Sequence, residues 1–272
     1  MKWLWRTRRE LLIDEPAWQC LQSELPFLAT LPTAESSLLR ERMAQFLTET
    51  TITGVRGLQV SDAMRLQVAA QACLPVLRLG LQAYDRFSEV ILYPSAFSVR
   101  RRIDSPEGMV TEFDDVLTGE AMPGGPVVLS WPDTTLTDEA WPGTNLVIHE
   151  FAHKLDMASG LPDGCPPMPR GLQTAWLTVL GDAFDDFVRM VERVEAAIPG
   201  DVDPDSEAAD PWFALLPLDP YAATDLAEFF AVSTEKFFAA PRGLCAEFPE
   251  LFAIYRQYFG FVTDPALRKA AT

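Results

Sequence analysis

Hydrophobic residues recur at helical spacing through the first 50 residues. Pro16, Pro26 and Pro32 punctuate the pattern, and residues 36–48 form its clearest helix. Residues 51–60 are rich in β-branched side chains and read as extended. Ser61-Asp62 then caps a helix expected to run to about Leu74, where Pro75 ends it. The middle third turns strand-like: Glu89-Val-Ile-Leu-Tyr93 and Gly125-Pro-Val-Val-Leu-Ser-Trp131 are short β-rich runs bounded by Pro and Gly. Because Pro126 lacks an N–H, its run begins at a strand start or lies on a sheet edge.

Beyond residue 144 the pattern is helical again. Thr144 or Asn145 caps a helix to about Ala158, with Gly160 just past its end. Further helices are expected over 171–197, from a Thr224 cap to about Phe238, and over 247–259. Between them, residues 200–210 form an acidic surface loop. No repeat and no sharp break in composition divides the chain. We therefore expect one domain over 1–272: a helical part (1–60), a core (61–262) and a tail (263–272). Its class is α+β, mostly helical with a small mixed sheet.

The charge narrows the partners. Residues 1–102 carry 13 Lys/Arg against 10 Asp/Glu, a balance of +3, whereas residues 103–272 carry 9 against 29, a balance of −20. A chain of net charge −17 repels phosphates over most of its surface, which argues against direct nucleic-acid binding. The short basic runs Arg6-Thr7-Arg8-Arg9 and Arg100-Arg101-Arg102 read as solvated positions. No apolar run is long enough to span a membrane, and no signal-peptide pattern opens the chain. Cys20, Cys73, Cys165 and Cys245 form no CxxC pair, as expected of thiols in a reducing compartment, so the cytoplasm is the expected location.

The chemistry sits in one pentapeptide. The two histidines of the chain are His149 and His153, within His149-Glu150-Phe151-Ala152-His153. On a helix, residues four apart share a face, so both imidazoles can meet one ion. Glu150 stands about 100° round the helix, placed to reach water on that ion without ligating it. Apolar neighbours surround the motif, and leaving two imidazoles and a carboxylate buried without a partner is costly. With no third histidine, the remaining ligand must be a carboxylate or a cysteine. Cys165 and Cys245 are available, but Glu228 is the better candidate, a lone charge in the apolar run Leu226-Ala-Glu-Phe-Phe-Ala231.

HEFAHKLDM at 149–157, YAATDLAEFFA at 221–231 and the 125–131 run together resemble the Mlc titration factor A family of bacterial zinc peptidases. The likeness is close over about 120–260 and loose over 1–90. The Tyr-x6-Glu-Phe-Phe-Ala element is also similar to the catalytic domain of anthrax lethal factor. This resemblance implies a zincin-like fold and one Zn2+ per chain on His149, His153 and Glu228. It further implies Glu150 as general base and Tyr221 as the phenol that stabilises the tetrahedral intermediate. An aminopeptidase acting on small peptides is the implied activity. A glucose-responsive repressor similar to Mlc is the implied partner, and sequestering that repressor is the alternative function.

Three further assignments follow from position. Asp156, three residues beyond His153, is expected to hydrogen-bond a ligand imidazole. Glu235, two turns beyond Glu228, is expected to orient a ligand or to bind a substrate ammonium. Val127, Val128 and Leu129 are expected to form an edge strand that pairs with an extended peptide.

Overall fold

The computed structural model describes residues 13–84, 87–104, 110–135, 142–204 and 206–268. Expectations for residues 1–12, including the Arg6–Arg9 run, and for the last four residues of the tail lie outside that range. The chain opens with α1 (Glu15–Glu24), α2 (Pro26–Ala29) and α3 (Thr33–Glu49), followed by β1 (Thr51–Gly54) and α4 (Asp62–Cys73). Strands β2 (Glu89–Tyr93), β3 (Phe97–Asp104), β4 (Val110–Leu117), β5 (Gly119–Ala121) and β6 (Val127–Ser130) come next. Helices complete the fold: α5 (Leu146–Asp156), α6 (Arg170–Glu195), α7 (Asp210–Phe213), α8 (Leu226–Ala239), α9 (Pro241–Glu247), α10 (Pro249–Phe259) and α11 (Pro265–Arg268). The architecture is α+β, mostly helical with a small mixed sheet, as the pattern predicts. Among the described residues no helix is long and apolar enough to cross a membrane.

Local chemistry sets most helix starts. Ser61 Oγ accepts the Met64 N–H at 3.2 Å, and Asn145 Oδ1 accepts the Ile148 N–H at 2.9 Å. The cap of α8 is Asp225 rather than Thr224: its Oδ1 accepts the N–H groups of Ala227 and Glu228, each at 2.9 Å. The helix expected over 247–259 is α10, which starts at Pro249 because that residue fits only a first turn; the short α9 just before it was not expected.

The sheet has the order β1-β2-β6-β5, with β1, β2 and β6 parallel and β5 antiparallel to β6. This corrects the expected edge strand. β6 pairs on both sides, and Val127, Val128 and Leu129 are 0, 6 and 0 % exposed, so none of them is open to a peptide. Pro126 sits before the strand start, where the ladder requires no N–H from it. Among the described residues the edges are β1 and β5, and β5, three residues long, is entered from the separate β3–β4 ribbon. Met122 N–H donates to Pro126 and Ser130 N–H to Thr118, so the polar backbone groups of Gly119 and Ala121 face away from β6. Lys154 fastens this turn to α5: its buried Nζ donates to Met122 O at 2.8 Å and to Gly125 O at 2.9 Å.

One core runs from Ile13 to Val262, and α5 and α8 cross it side by side. Every residue of α8 from Phe229 to Phe238 is buried, and Trp176 stacks on Tyr255 with ring centroids 5.0 Å apart. The loop after α5 ties these helices together at Gly164. Its N–H donates to Asp156 Oδ2 at 2.7 Å, and its carbonyl accepts the Trp176 indole N–H at 2.8 Å. Gly164 has φ +78°, and a Cβ there would lie 2.6 Å from Leu226 O, at the start of α8.

Both constraints bear on Gly164→Ala. Left-handed strain and a backbone clash together are expected to cost about 3 kcal/mol. Urea unfolding at constant slope checks this, and a loss under about 0.5 kcal/mol would show that the loop does not hold α8.

Candidate metal centre

Helix α5 presents His149 and His153 one turn apart, with ring centroids 4.8 Å from each other. Helix α8 brings Glu228 up to them as its third residue, where the Asp225 cap fixes the backbone. Glu228 Oε2 lies 3.1 Å from His149 Nε2 and 3.2 Å from His153 Nε2, and the two Nε2 atoms are 3.1 Å apart. The three side chains keep 11 to 17 % exposure, so the site is buried but open at its mouth. Among the described residues, His149, His153 and Glu228 are the one group of such donors able to hold a metal ion, and neither Cys165 nor Cys245 joins it.

The donor chemistry fits an ion. His149 Nδ1 is 2.7 Å from Glu235 Oε1, which fixes a proton on Nδ1 and makes Nε2 the nitrogen that an ion would take in place of a proton. Glu228 offers only lone pairs to the same point. Ligands about 2.0–2.1 Å from one tetrahedral ion stand about 3.3 Å apart, close to the separations seen. Burial alone would raise the Glu228 carboxyl, but hydrogen bonds and charge from His149 and His153 outweigh it and hold it far below the usual range. For His149, burial works against protonation, but Glu228 and Glu235 outweigh it and raise its pKa well above the usual histidine value.

Glu150 is 5 % exposed and turns toward β5. Burial raises its pKa, while His149 and His153 act in the opposite direction. A Cβ on Gly119 would fall 2.4 Å from Glu150 Oε1 and 2.8 Å from Leu146 Cδ1. The edge strand can approach the carboxylate this closely only because residue 119 has no side chain.

Tyr221 stands on a single turn, Pro220–Ala223, whose Asp219 caps the Tyr221 N–H at 2.9 Å. Its ring centroid is 6.2 Å from that of His149. The residue is 53 % exposed, although its hydroxyl end is tucked against Glu228. Burial of that end, then the Glu228 carboxylate, holds the phenol proton on well above the usual tyrosine range.

Glu235 sits where the spacing predicts. One oxygen takes the His149 Nδ1 proton and the other the Asn145 backbone N–H, so it fixes both a ring and a helix start. Asp156 differs from expectation. Its Oδ2 holds the Gly164 N–H, while its Oδ1 and His153 Nδ1 are buried without a hydrogen-bond partner. Burial, opposed by Gly164, pushes its carboxyl up to about 6. Gly119, Lys154 and Asp225 escape the motif reading. The only signal for them was a glycine ahead of a short extended run and one more N-cap residue beside Thr224.

Comparison with known proteins agrees with this geometry. The model of a family described as glucose-regulated metallo-peptidase M90 matches residues 1–260. The chain is 34 % identical over 269 residues to the Mlc titration factor A of Escherichia fergusonii, covering 98 % of this chain and 94 % of the relative. The Serratia proteamaculans protein of the same name is also 34 % identical, with coverage of 98 % and 95 %. An uncharacterized protein of Synechocystis is 32 % identical over 249 residues, covering 90 % of this chain and 83 % of that one.

Glu228→Gln keeps the shape and removes the charge, and is expected to weaken metal binding by more than about 100-fold. Cys165→Ala and Cys245→Ala are expected to retain one metal per chain. Equilibrium dialysis followed by elemental analysis checks all three, and a cysteine variant that loses its metal would reassign the third ligand.

Proposed function

This chain belongs to the glucose-regulated metallo-peptidase M90 family, and on that premise we propose that it is a zinc-dependent aminopeptidase. Its fold is zincin-like, a helical body and small mixed sheet around an HExxH helix. The observation that carries the reading is the convergence of His149, His153 and Glu228 beside the buried Glu150. The whole chain acts as one catalytic domain, a view supported by its continuous core. Its four free cysteines support a cytoplasmic location.

In this reading His149, His153 and Glu228 hold one Zn2+, which when bound supplies Lewis acidity and acidifies water. Glu150 accepts a proton from the attacking water and returns it to the leaving amine, a task suited to a carboxylate whose pKa burial has raised. Tyr221 keeps its proton and stands at the mouth, so its hydroxyl swings from Glu228 to the developing oxyanion. Glu235 keeps His149 in the tautomer that presents Nε2. The outer edge of β5, where Glu150 takes the Ala121 N–H, aligns an extended peptide over the site through the backbone of Gly119. A free ammonium terminus suits the balance of −20 over residues 103–272.

The name of the Escherichia and Serratia relatives supports a second reading. In it this chain binds a glucose-responsive transcriptional repressor similar to Mlc, and hydrolysis is secondary.

Glu150→Gln is expected to keep its zinc and to lose about a thousandfold in kcat/KM on aminoacyl anilides. Gly119→Ala should keep its zinc and lose at least about tenfold in kcat, because its Cβ displaces Glu150. Acetylating the substrate amine should slow hydrolysis by more than about 100-fold. Equal rates on free and acetylated peptides would replace the aminopeptidase with an endopeptidase. Full activity in Glu150→Gln would remove the catalytic reading altogether.

A further inference from the structure

We propose that Gln71, on a helix that contributes no ligand, is a positioning residue for the metal-binding His149. Gln71 lies on α4 and is 1 % exposed among Val68, Ala69, Ala70, Ala72, Cys73 and Leu74, all fully buried. A primary amide in such surroundings is costly unless its donors and acceptor are used. Its Nε2 donates to Gln67 O one turn back at 3.0 Å, which commits the donor end to its own helix. Its Oε1 therefore points outward and accepts from Asn145 Nδ2 at 2.6 Å.

Asn145 is the hinge of the arrangement. The two ends of its side-chain amide have nearly the same shape and differ only in hydrogen-bond sense. Gln71 is an acceptor and selects the Nδ2 end, so Oδ1 is left facing the Ile148 N–H at 2.9 Å as the α5 cap. Reversed, the amide would set donor against donor at Ile148 and the cap would be lost. The capped backbone of Asn145 is extended, with φ −154° and ψ 96°, and presents its own N–H to Glu235 Oε2. The other oxygen of that carboxylate takes the Nδ1 proton of His149 at 2.7 Å. A continuous relay thus runs from α4 through the α5 cap to α8 and back to a ligand imidazole.

A helix cap does not require such a partner. Ser61 caps α4 with no second side chain behind its hydroxyl, which accepts the Met64 N–H while its own N–H donates to Met64 Sδ. What Gln71 adds is the sense of the Asn145 amide, and through it the seat of Glu235. Losing a hydrogen-bond partner behind a metal ligand lowers affinity by about 10- to 100-fold, and Gln71, one step further removed, is placed at the lower end.

The inference rests on the reading of His149 as a ligand, and the experiment separates the two. Dissociation constants for Zn2+ and Co2+ are measured on the full chain by chelator competition, together with the melting temperature of the metal-free protein. Gln71→Met, similar in shape but without the amide, is expected to bind both ions about tenfold more weakly. Ser61→Ala, a cap loss remote from the site, is expected to lower the melting temperature without changing either constant. In a Glu235→Gln background, Gln71→Met should add nothing, because its effect passes through that carboxylate. Asn145→Ser keeps a capping hydroxyl but cannot reach Gln71. It should reproduce the loss, and it carries the test if Gln71→Met does not fold. Parent-like constants in both variants would overturn the inference, as would an undiminished effect in the Glu235→Gln background. A parent chain that binds no Zn2+ would overturn the metal centre and this inference with it.

Discussion

Everything at the centre of this molecule answers to one electrostatic constraint. Where α5 meets α8, two imidazoles and the carboxylates of Glu150, Glu228 and Glu235 are withdrawn from water. Desolvating so many lone pairs is tolerable only if each finds a proton or a cation. Glu235 is fully supplied by the His149 Nδ1–H and the Asn145 N–H. That supply leaves His149 Nε2 facing Glu228 Oε2 at 3.1 Å, where a proton or a cation can lie between them. His149, His153 and Glu228 converge on one point, and a divalent cation there would serve all three at once.

The fold is arranged to hold that point still. Each ligand helix starts at a side-chain cap close to its first ligand: Asn145 four residues before His149, and Asp225 three before Glu228. Gly164 locks the end of α5 against the start of α8, while Lys154 draws the β5–β6 turn onto α5. The approach of β5 is what converts a binding site into one with a directed carboxylate. Gly119 lets the strand edge come within reach of Glu150, whose pKa is raised chiefly by burial and lowered in part by the Ala121 N–H of the same strand. Tyr221 belongs to a different layer, an exposed rim on a short turn whose hydroxyl reaches in to Glu228.

What was legible in the chain was what local chemistry decides. The two histidines four apart, the Ser61 and Asn145 caps and the Glu89–Tyr93 strand depend on neighbours in sequence, and they stand where expected. Glu228 was legible because a charge in so apolar a run needs a partner. The misplacements came from long-range pairing. Val127–Leu129 reads as an edge because Pro126 precedes it, yet only the tertiary pairing with β2 and β5 shows it to be central. Strand β5 is three residues long with no β-branched side chain, too short to leave a pattern. Asp156 lies at the right helical spacing from His153, but Gly164 returns in space and takes its Oδ2. Gln71 gave no signal, one polar residue among Asp62, Arg65 and Gln67 on the same helix. Nothing in sequence says that its acceptor faces a cap on another helix.

The central claim is that one ion is held by two imidazoles and a carboxylate, with no thiolate and with room for a further ligand. Replacing the metal with Co2+ and recording the electronic spectrum tests it most directly, since the bands report both geometry and ligand type. Visible d–d bands of a four- or five-coordinate site are expected, shifting when a carboxylate or hydroxamate inhibitor is added, with no sulfur-to-cobalt charge-transfer band in the near ultraviolet. A strong charge-transfer band would put a cysteine on the metal. A spectrum of weak octahedral intensity, unchanged by inhibitor, would show that His149, His153 and Glu228 do not form the open site described.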